Sequence, residues 1–376
     1  MKVGSYEVEL RMNDWYNAIR KYDIKEAKAI QSEIKKRIKN IEDRDTQTYY
    51  KIMNFRHQML LNYLEPSIEG MVQLENMKEI DELNPNEDNV DGMIDYYFNF
   101  FRGMHEFKNR EYLRAILFYK RAEKRLDQLF DEIERAEFNY KIAAAYYNMK
   151  QTQLSMLYAK QAYDTFKAVD GYAVRLIHCE FVIAGNYDDA SSHEKALPHL
   201  ENAFRLAKLE KKPRLVAAAL FNLANCYLKM GDINNAEIHS RQSVEEYLSG
   251  GYETTRPIVE AVFLLTRALV KHGKTEEAKP YFKEGFSKAR LIGDYILSAK
   301  FKFLKDLYAD DGDREEILKS FDALESKEMY PDMENLALEA ATYYNERGLY
   351  ENSAFFYRKM LDIQKIIGRG GINFEV

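Results

Sequence analysis

Glycine recurs at a nearly constant interval through the second half of this 376-residue chain, and that interval limits the folds open to it. Gly231, Gly273, Gly312 and Gly348 are separated by 42, 39 and 36 residues. Between them, apolar residues recur at i, i+3, i+4 and i+7, and no long alternating segment indicates strands. Because glycine adopts the left-handed geometry that ends a helix at little cost, each is expected to close a helix. A period of this length is typical of helix-hairpin repeats.

Small and aromatic residues recur at matched places around these breaks. Tyr227 lies four residues before Gly231, and Ala236 lies five residues after it. In tetratricopeptide repeats, small residues allow two helices to approach closely and aromatic residues fill the gap to the next hairpin. The sequence therefore predicts an all-α fold in which about seven such repeats, from residue 93 to the end, form a right-handed superhelical solenoid.

The first 65 residues do not follow this repeat. Their apolar pattern predicts three helical segments, over about residues 6–21, 23–41 and 45–64. Asp23 is placed to cap the second segment, and Asp43 or Asp45 to cap the third. We expect residues 1–65 to form a three-helix bundle.

Residues 66–92 are predicted to connect this bundle to the repeat domain, residues 93–376. The segment is acidic and contains Pro66 and Pro85. Proline interrupts a helix because it lacks the backbone N–H and clashes with the preceding turn. We therefore expect a partly helical linker that acts as a hinge.

The composition excludes several classes of function. The chain has 55 basic and 61 acidic residues, a net charge of −6, whereas nucleic-acid binding needs a concentrated basic face. Cys179 and Cys226 are too few for a disulfide framework or a four-ligand metal site. Seven scattered histidines lack the context of a metalloprotease or a nucleophile triad. We expect no metal and no cofactor held by the chain itself.

The sequence also bears on location. No run approaches the roughly 20 apolar residues of a membrane span. Glu7, Glu9 and Arg11 interrupt the stretch where a signal peptide would be apolar. A cytoplasmic protein is therefore expected.

Eight short motifs, in order along the chain, carry a family resemblance. They are Asn13–Tyr16, Tyr49–Tyr50, Phe55–Leu60, Tyr63–Pro66, Tyr96–Met104, Ile133–Phe138, Tyr146–Thr152 and Ala184–Asn186. Together they resemble the Rap proteins of Bacillus. The amino-acid sequence of Tyr96–Met104 is most similar to that of Rap members that act on the competence regulator.

The resemblance implies a role in quorum sensing. Rap proteins bind response regulators through a three-helix bundle and are switched off by short Phr peptides that bind their repeats. Some members are phosphatases of a sporulation-phosphorelay receiver domain, and others sequester the DNA-binding domain of a regulator. Any divalent metal in the phosphatase reaction would belong to the bound receiver, whose acidic pocket holds it.

The residue that decides between these two activities is Arg44. Phosphatase members present a glutamine in an acidic E-E-D-Q-D motif, because a neutral amide can both donate to and accept from the attacking water. This chain has Arg44 at that position, and a guanidinium has no acceptor. Gln47, nearly one helical turn later, is a possible substitute. We therefore favour sequestration of a response regulator, with phosphatase activity as the alternative.

The resemblance also implies contact residues for both partners. Those expected to contact the regulator are Asp43, Ile52, Phe55, Asp131 and Glu134. Those expected to contact a peptide are Asp189, Asn222, Asn225, Tyr146, Tyr147, Glu180, Glu260 and Phe263. Asp189 would form an ion pair with a basic residue near the second position of the peptide. Asn222 would form hydrogen bonds with the peptide backbone. Lys300 and Lys302 would suit an acidic residue or the C-terminus of the peptide.

Peptide binding is expected to tighten the repeats and draw the bundle onto them, which would bury the regulator-binding surface. The sequence leaves open which regulator and which peptide are bound. It also leaves open pairing with a second copy of the chain and a chromosomal or mobile-element origin.

Overall fold

A computed structural model describes residues 3–64, 92–129, 131–253, 255–309 and 312–370. All regular structure in these ranges is helical, which confirms the all-α prediction. The predicted linker, residues 66–92, lies almost wholly outside the described residues.

Three helices form the N-terminal bundle, as predicted. They are α1 (Val3–Arg20), α2 (Ile24–Arg37), which continues as a short 3₁₀ turn over Ile38–Asn40, and α3 (Arg44–Leu64). The side chain of Asp23 accepts a hydrogen bond from the backbone N–H of Glu26 at 3.0 Å, which confirms the predicted cap of α2. For α3, the cap is Asp43 rather than Asp45: its Oδ2 accepts from the N–H of Thr46 at 2.8 Å.

The remaining helices follow one another as antiparallel hairpins in chain order. They are α4 (Gly92–Lys108), α5 (Tyr112–Leu126), α6 (Glu132–Asn148), α7 (Thr152–Ala168), α8 (Ala173–Asp189), α9 (His193–Leu209), α10 (Pro213–Met230), α11 (Ile233–Ser249), α12 (Arg256–Lys271), α13 (Thr275–Leu291), α14 (Tyr295–Tyr308), α15 (Arg314–Glu325), α16 (Tyr330–Glu346) and α17 (Tyr350–Gly370). The exact number of repeats stays a prediction.

The four periodic glycines lie in turns between helices with φ between 70° and 81°, as the sequence predicts. Gly231 also ends α10, where its N–H reaches the carbonyl of Leu228. Earlier turns adopt the same left-handed conformation without glycine, at Arg110, Lys150 and Ser191. The glycine period therefore fades toward the N-terminus although the hairpin geometry continues there.

The chain divides into two compact units. Unit 1 contains the described residues up to Ala145 together with Gln161–Val174, and unit 2 contains Tyr146–Lys160 and the chain from Arg175 onward. This contact-based division differs from the predicted domains, because it groups the bundle with the first hairpin and most of α6. The predicted boundary at residue 65 stays a prediction.

Buried aromatic rings hold the bundle to the first hairpin within unit 1. Tyr16 of α1 contacts Tyr97 and Phe101 of α4, with ring centroids 5.3 and 5.9 Å apart. Trp15 is fully buried and donates through Nε1 to Nδ1 of His57 on α3 at 3.1 Å. Aromatic pairs of this kind add stability beyond the area that they bury.

Small residues allow close packing of the helices in unit 2, as the repeat pattern predicts. Ala224 and Ala236 are buried in one apolar cluster with Ala268, where α10, α11 and α12 meet. Gly185 of α8 lies against the ring of Tyr147, which a Cβ at Gly185 would meet at 2.7 Å. Among the described residues, no helix is long and apolar enough to cross a membrane.

Candidate regulator- and peptide-binding sites

All eight residues predicted to contact a peptide lie in unit 2. They lie on α6, α8, α10 and α12, which are the first helices of four successive hairpins. First helices line the concave face in repeats of this type, so their positions suit an extended ligand.

The centre of this set is α10, where Asn222 and Asn225 lie on one helical face. Both side chains are partly buried. Asn222 Nδ2 donates to the carbonyl of Ala218 at 3.0 Å, which leaves its amide oxygen as an acceptor. Asn225 makes no side-chain hydrogen bond to any described part of the chain. Two amides with unused hydrogen-bonding capacity are suited to bind the backbone of an extended peptide.

Asp189 at the end of α8 is compensated by two lysines. Its Oδ1 lies 3.3 Å from the Nζ of Lys150 and 3.0 Å from the Nζ of Lys229. Only 9% of the Asp189 side chain is exposed. Burial on its own lowers the pKa of Lys229, but the carboxylates of Asp189 and Asp188 outweigh it and the pKa is raised. Both lysines are therefore cationic partners of the acid that was predicted to bind a cation.

The sequence analysis did not identify these two lysines. Lys229 follows Asn222 by seven residues, two helical turns, so helical periodicity places it on the same face of α10. Lys150 ends the turn between α6 and α7, and nothing in its local sequence points to Asp189. It is brought there only by the packing of successive repeats.

The aromatic members of the predicted set pack against neighbouring rings. Tyr146 is buried and stacks on Tyr158, with ring centroids 5.9 Å apart. Phe263 meets Phe301 edge to face at 5.4 Å. The ammonium of Lys300 lies 5.0 Å from the centroid of Phe263. Each of these two rings is therefore held in place by a neighbouring aromatic side chain.

Charged members of the set are already paired. Glu260 lies 3.2 Å from Nε of Arg256, and Lys300 lies 2.7 Å from Asp332. Lys302 is paired with Asp306 at 2.6 Å. Any ligand charge would have to exchange with these internal partners.

Glu180 differs from the other predicted peptide contacts. Its side chain is buried, and its two oxygens accept from His199 and Asn202 of α9, the second helix of its own hairpin. In this structure it ties the two helices together and is not available to a ligand. The sequence could not show this, because the i, i+3 pattern does not tell which face of α8 meets α9.

The residues predicted to contact a regulator all lie in unit 1, in two groups. The first group lies on α3 and just before it. Asp43 is exposed there, and so are Arg44, at the family glutamine position, and Gln47, its possible substitute. Hydrogen bonds from Thr46 lower the pKa of Asp43 and keep it ionised. Gln47 Nε2 donates to the carbonyl of Ile41 at 2.6 Å. That bond uses the Gln47 amide to close the preceding turn.

Glu134 belongs to the second group and is fully buried. Tyr16 and Tyr96 donate to its Oε1 at 3.0 and 2.9 Å, and Nη1 of Arg20 lies 3.3 Å from Oε2. Burial raises the pKa of Glu134 to about 7, against the opposing effect of Arg20. Glu134 was predicted to contact a regulator, but in this structure it fastens α1 to α4 and α6.

Three further predicted regulator contacts differ in exposure. Asp131 is half exposed and accepts from Nη1 of Arg20 at 2.7 Å. Phe55 is partly buried, with its ring 6.0 Å from that of His105. Ile52 is only 2% exposed, so it belongs to the bundle core here. In this arrangement Asp131 and part of Phe55 are accessible, whereas Ile52 is not.

Comparison with known proteins relates these residues to a family. Residues 2–62 match the family model described as response regulator aspartate phosphatase H, N terminal. Over 375 residues the chain is 42% identical to response regulator aspartate phosphatase A of Bacillus subtilis (strain 168), covering 100% of this chain and 98% of that protein. This chain is a member of the Rap family.

Solved Rap structures share its fold. A Rap protein crystallised in complex with competence and sporulation factor matches with a TM-score of 0.90 and 36% identity, covering 97% of this chain and 99% of that one. The apo form of RapI matches with a TM-score of 0.66 and 33% identity, covering 96% and 99%.

The relatives carry two kinds of name, response regulator aspartate phosphatase and regulatory protein. Besides the phosphatase above, the regulatory protein RapF of Bacillus subtilis (strain 168) is 36% identical over 379 residues, covering 100% of this chain and 98% of that protein. The predicted Rap resemblance is therefore confirmed, and the choice between the two activities depends on individual residues.

Proposed function

We propose that this Rap-family chain is a cytoplasmic quorum-sensing inhibitor of a bacterial response regulator, controlled by a short Phr-type peptide. The observation that carries the proposal is the α10 face with Asn222 and Asn225, beside the lysine-compensated Asp189. A relative with a TM-score of 0.90 was crystallised with a signalling peptide, and the predicted contacts of such a peptide lie on four consecutive first helices here.

The regulator is proposed to bind unit 1. Asp43 and Arg44 at the start of α3 are exposed, and Asp131 at the start of α6 is half exposed. Glu134 would join the contact only when α1 moves away from α4 and α6, and Ile52 only when the core of the bundle opens. The structure with these two residues buried then corresponds to the released state, and peptide binding favours that state.

Between the two activities, the residues at the start of α3 favour sequestration. A guanidinium at position 44 cannot accept a hydrogen bond from an attacking water. Gln47, the possible substitute, is bonded to Ile41, and a catalytic amide needs placement to within about 0.5 Å. We propose that the chain inhibits its regulator by binding, with dephosphorylation as the second candidate because relatives bear that name.

The peptide assignment is tested with Asn222→Ala. Removing one partner of a backbone amide costs about 1–3 kcal/mol, so about 5–150-fold more peptide should be needed to release a bound regulator. Release is measured by fluorescence anisotropy of a labelled regulator. The peptide is one that is selected from a short-peptide library for binding to the wild-type protein. Asn234→Ala, an exposed amide on α11, is the matched control. An Asn222→Ala protein that responds like the wild type would contradict the groove assignment.

The mode of action is tested with Arg44→Gln. With the wild type present, we expect a phosphorylated sporulation-type receiver to lose its phosphate at its spontaneous rate. With the variant present, we expect that rate to rise. Lys36→Gln, an exposed change on α2, controls for the loss of one positive charge. An active wild-type protein would show instead that dephosphorylation is the function, and Gln47→Ala would then be examined for loss of that activity.

A further inference from the structure

Three side chains with different donor atoms converge where α8, α9 and α10 meet. Asp188 is the penultimate residue of α8, His193 is the first residue of α9, and Cys226 lies in the last third of α10. One ligand atom from each lies within 4.8 Å of the others. The set offers a carboxylate oxygen, an imidazole nitrogen and a thiol sulfur, and none of its three residues is among the predicted peptide contacts.

The three groups already bond to one another. Asp188 Oδ1 lies 2.6 Å from Nδ1 of His193, and Cys226 hydrogen-bonds with the same carboxylate. Cys226 and Asp188 are buried, whereas 21% of the His193 side chain is exposed. The cluster is therefore closed on the α10 side and reachable from solvent past the imidazole.

The geometry points to a binding site for a divalent transition metal, with Asp188, His193 and Cys226 as its protein ligands. Nitrogen, oxygen and sulfur donors in one set suit Zn²⁺ and exclude Mg²⁺ and Ca²⁺, which prefer oxygen alone. In tetrahedral Zn²⁺ sites the ligand atoms lie about 3.5 Å apart, as follows from bond lengths of about 2.0–2.3 Å. Shifts of about 1 Å in these side chains would reach that spacing.

One oxygen of Asp188 and the thiol of Cys226 are the two groups that a metal would have to draw from existing partners. The ammonium of Lys229 lies 2.5 Å from Asp188 Oδ2, so Oδ1 is the oxygen left for a metal. Burial and the carboxylate of Asp188 raise the pKa of the Cys226 thiol to about 12. Binding therefore releases the thiol proton to solvent as the metal–sulfur bond forms, a substitution in which no electrons are transferred. Three protein ligands leave a fourth position for water.

Metal binding here would join three helices next to the proposed peptide anchor. Asp188 precedes Asp189 in the chain, and Lys229 contacts both carboxylates. A metal ligated by Asp188 and Cys226 would link the C-terminal end of α8 to α10. The sequence predicted no metal because ligands at 188, 193 and 226 have no recognisable motif spacing, and this proposal departs from that expectation.

The site is tested with Co²⁺, which reports on its ligands through its visible spectrum. The 376-residue chain in metal-free buffer should bind one Co²⁺ with a thiolate-to-cobalt charge-transfer band in the near ultraviolet. Cys226→Ser should abolish that band, whereas Cys179→Ala, at the other buried cysteine, should keep it. No band in the wild type, or a band that survives Cys226→Ser, would overturn the proposal.

A second measurement does not depend on the cysteine. Zn²⁺ should raise the thermal midpoint of the wild type in a concentration-dependent way, because a ligand that binds only the folded state stabilises it. His193→Gln and Asp188→Asn should each weaken Zn²⁺ binding at least tenfold by calorimetry. His239→Gln, at a partly buried histidine on α11 outside the cluster, is the matched control. Equal binding by wild type and His193→Gln would also overturn the assignment, and neither result depends on peptide or regulator.

Discussion

At the scale of single residues, Glu134 shows how far packing changes the chemistry of a carboxyl group. Its pKa of about 7 lies above its ordinary value of 4.5 because the side chain is fully buried. Between pH 4.5 and 7 an unfolded chain loses this proton while the folded chain keeps it. The stability that Glu134 contributes is therefore greatest at low pH and falls as pH rises to about 7.

The loss of the stability contributed by Glu134 as pH rises can be measured. Across that window the free energy of unfolding of the wild type should fall by about 3 kcal/mol relative to Glu134→Gln, which has no proton to lose. Urea titrations at several pH values measure the difference. Glu132→Gln, an exposed change on the same helix, should follow the wild type. Parallel curves for wild type and Glu134→Gln would show that the carboxyl is ionised when folded.

Single residues also show what the sequence could predict. Asp23 and Asp43 were identifiable as caps, because a cap depends on a few neighbouring residues. Glu134 was predicted to contact a partner, yet it bonds to Tyr16, which is 118 residues away. Its burial depends on how α1 packs on α4 and α6, and no local pattern encodes that.

At the scale of helices and turns, the left-handed residues divide into glycines and others. Lys211 has φ 50° in the turn between α9 and α10, and Gly251 has φ 77° in the corresponding turn between α11 and α12. A side chain in this conformation costs roughly 1–2 kcal/mol, whereas glycine adopts it freely. The sequence predicted the four turns that contain the periodic glycines, but it identified neither the turn at Gly251 nor the conformation of Lys211.

Exchanging the residue types in these two turns should shift stability in opposite directions. Lys211→Gly should raise the free energy of unfolding by up to about 1 kcal/mol, after the entropy cost of glycine is deducted. Gly251→Ala should lower it by about 1 kcal/mol, because a Cβ there meets no atom within 4 Å and only the backbone is strained. Chemical denaturation measures both. A destabilising Lys211→Gly would show that its side chain contributes more than its backbone costs.

At the scale of the whole molecule, the two predicted contact sets fall in different units. The repeat period was enough to predict the fold, because each hairpin packs against its neighbours through the same pattern of small and aromatic residues. It could not separate buried from accessible positions, as Ile52 and Glu180 show. The partner sets were predicted only through family resemblance, and their roles remain proposals.

Two sites on one chain that affect each other must do so equally. If the peptide weakens regulator binding by some factor, a saturating regulator must weaken peptide binding by the same factor. We expect a coupling of about 1–3 kcal/mol, or 5–150-fold. Anisotropy of a labelled peptide, with and without regulator, measures it. Unchanged peptide affinity in the presence of regulator would show that the peptide does not control release.

If Asp189 binds the peptide as proposed, its two lysine partners determine what that contact contributes to recognition. A basic peptide residue that reaches this carboxylate displaces Lys150 or Lys229 and does not bury a new charge. The net gain is then the difference between two similar ion pairs, so this contact discriminates among peptides more than it tightens binding. A receptor built this way releases its signal when the surrounding concentration drops. Its output follows the current peptide level instead of recording a past one.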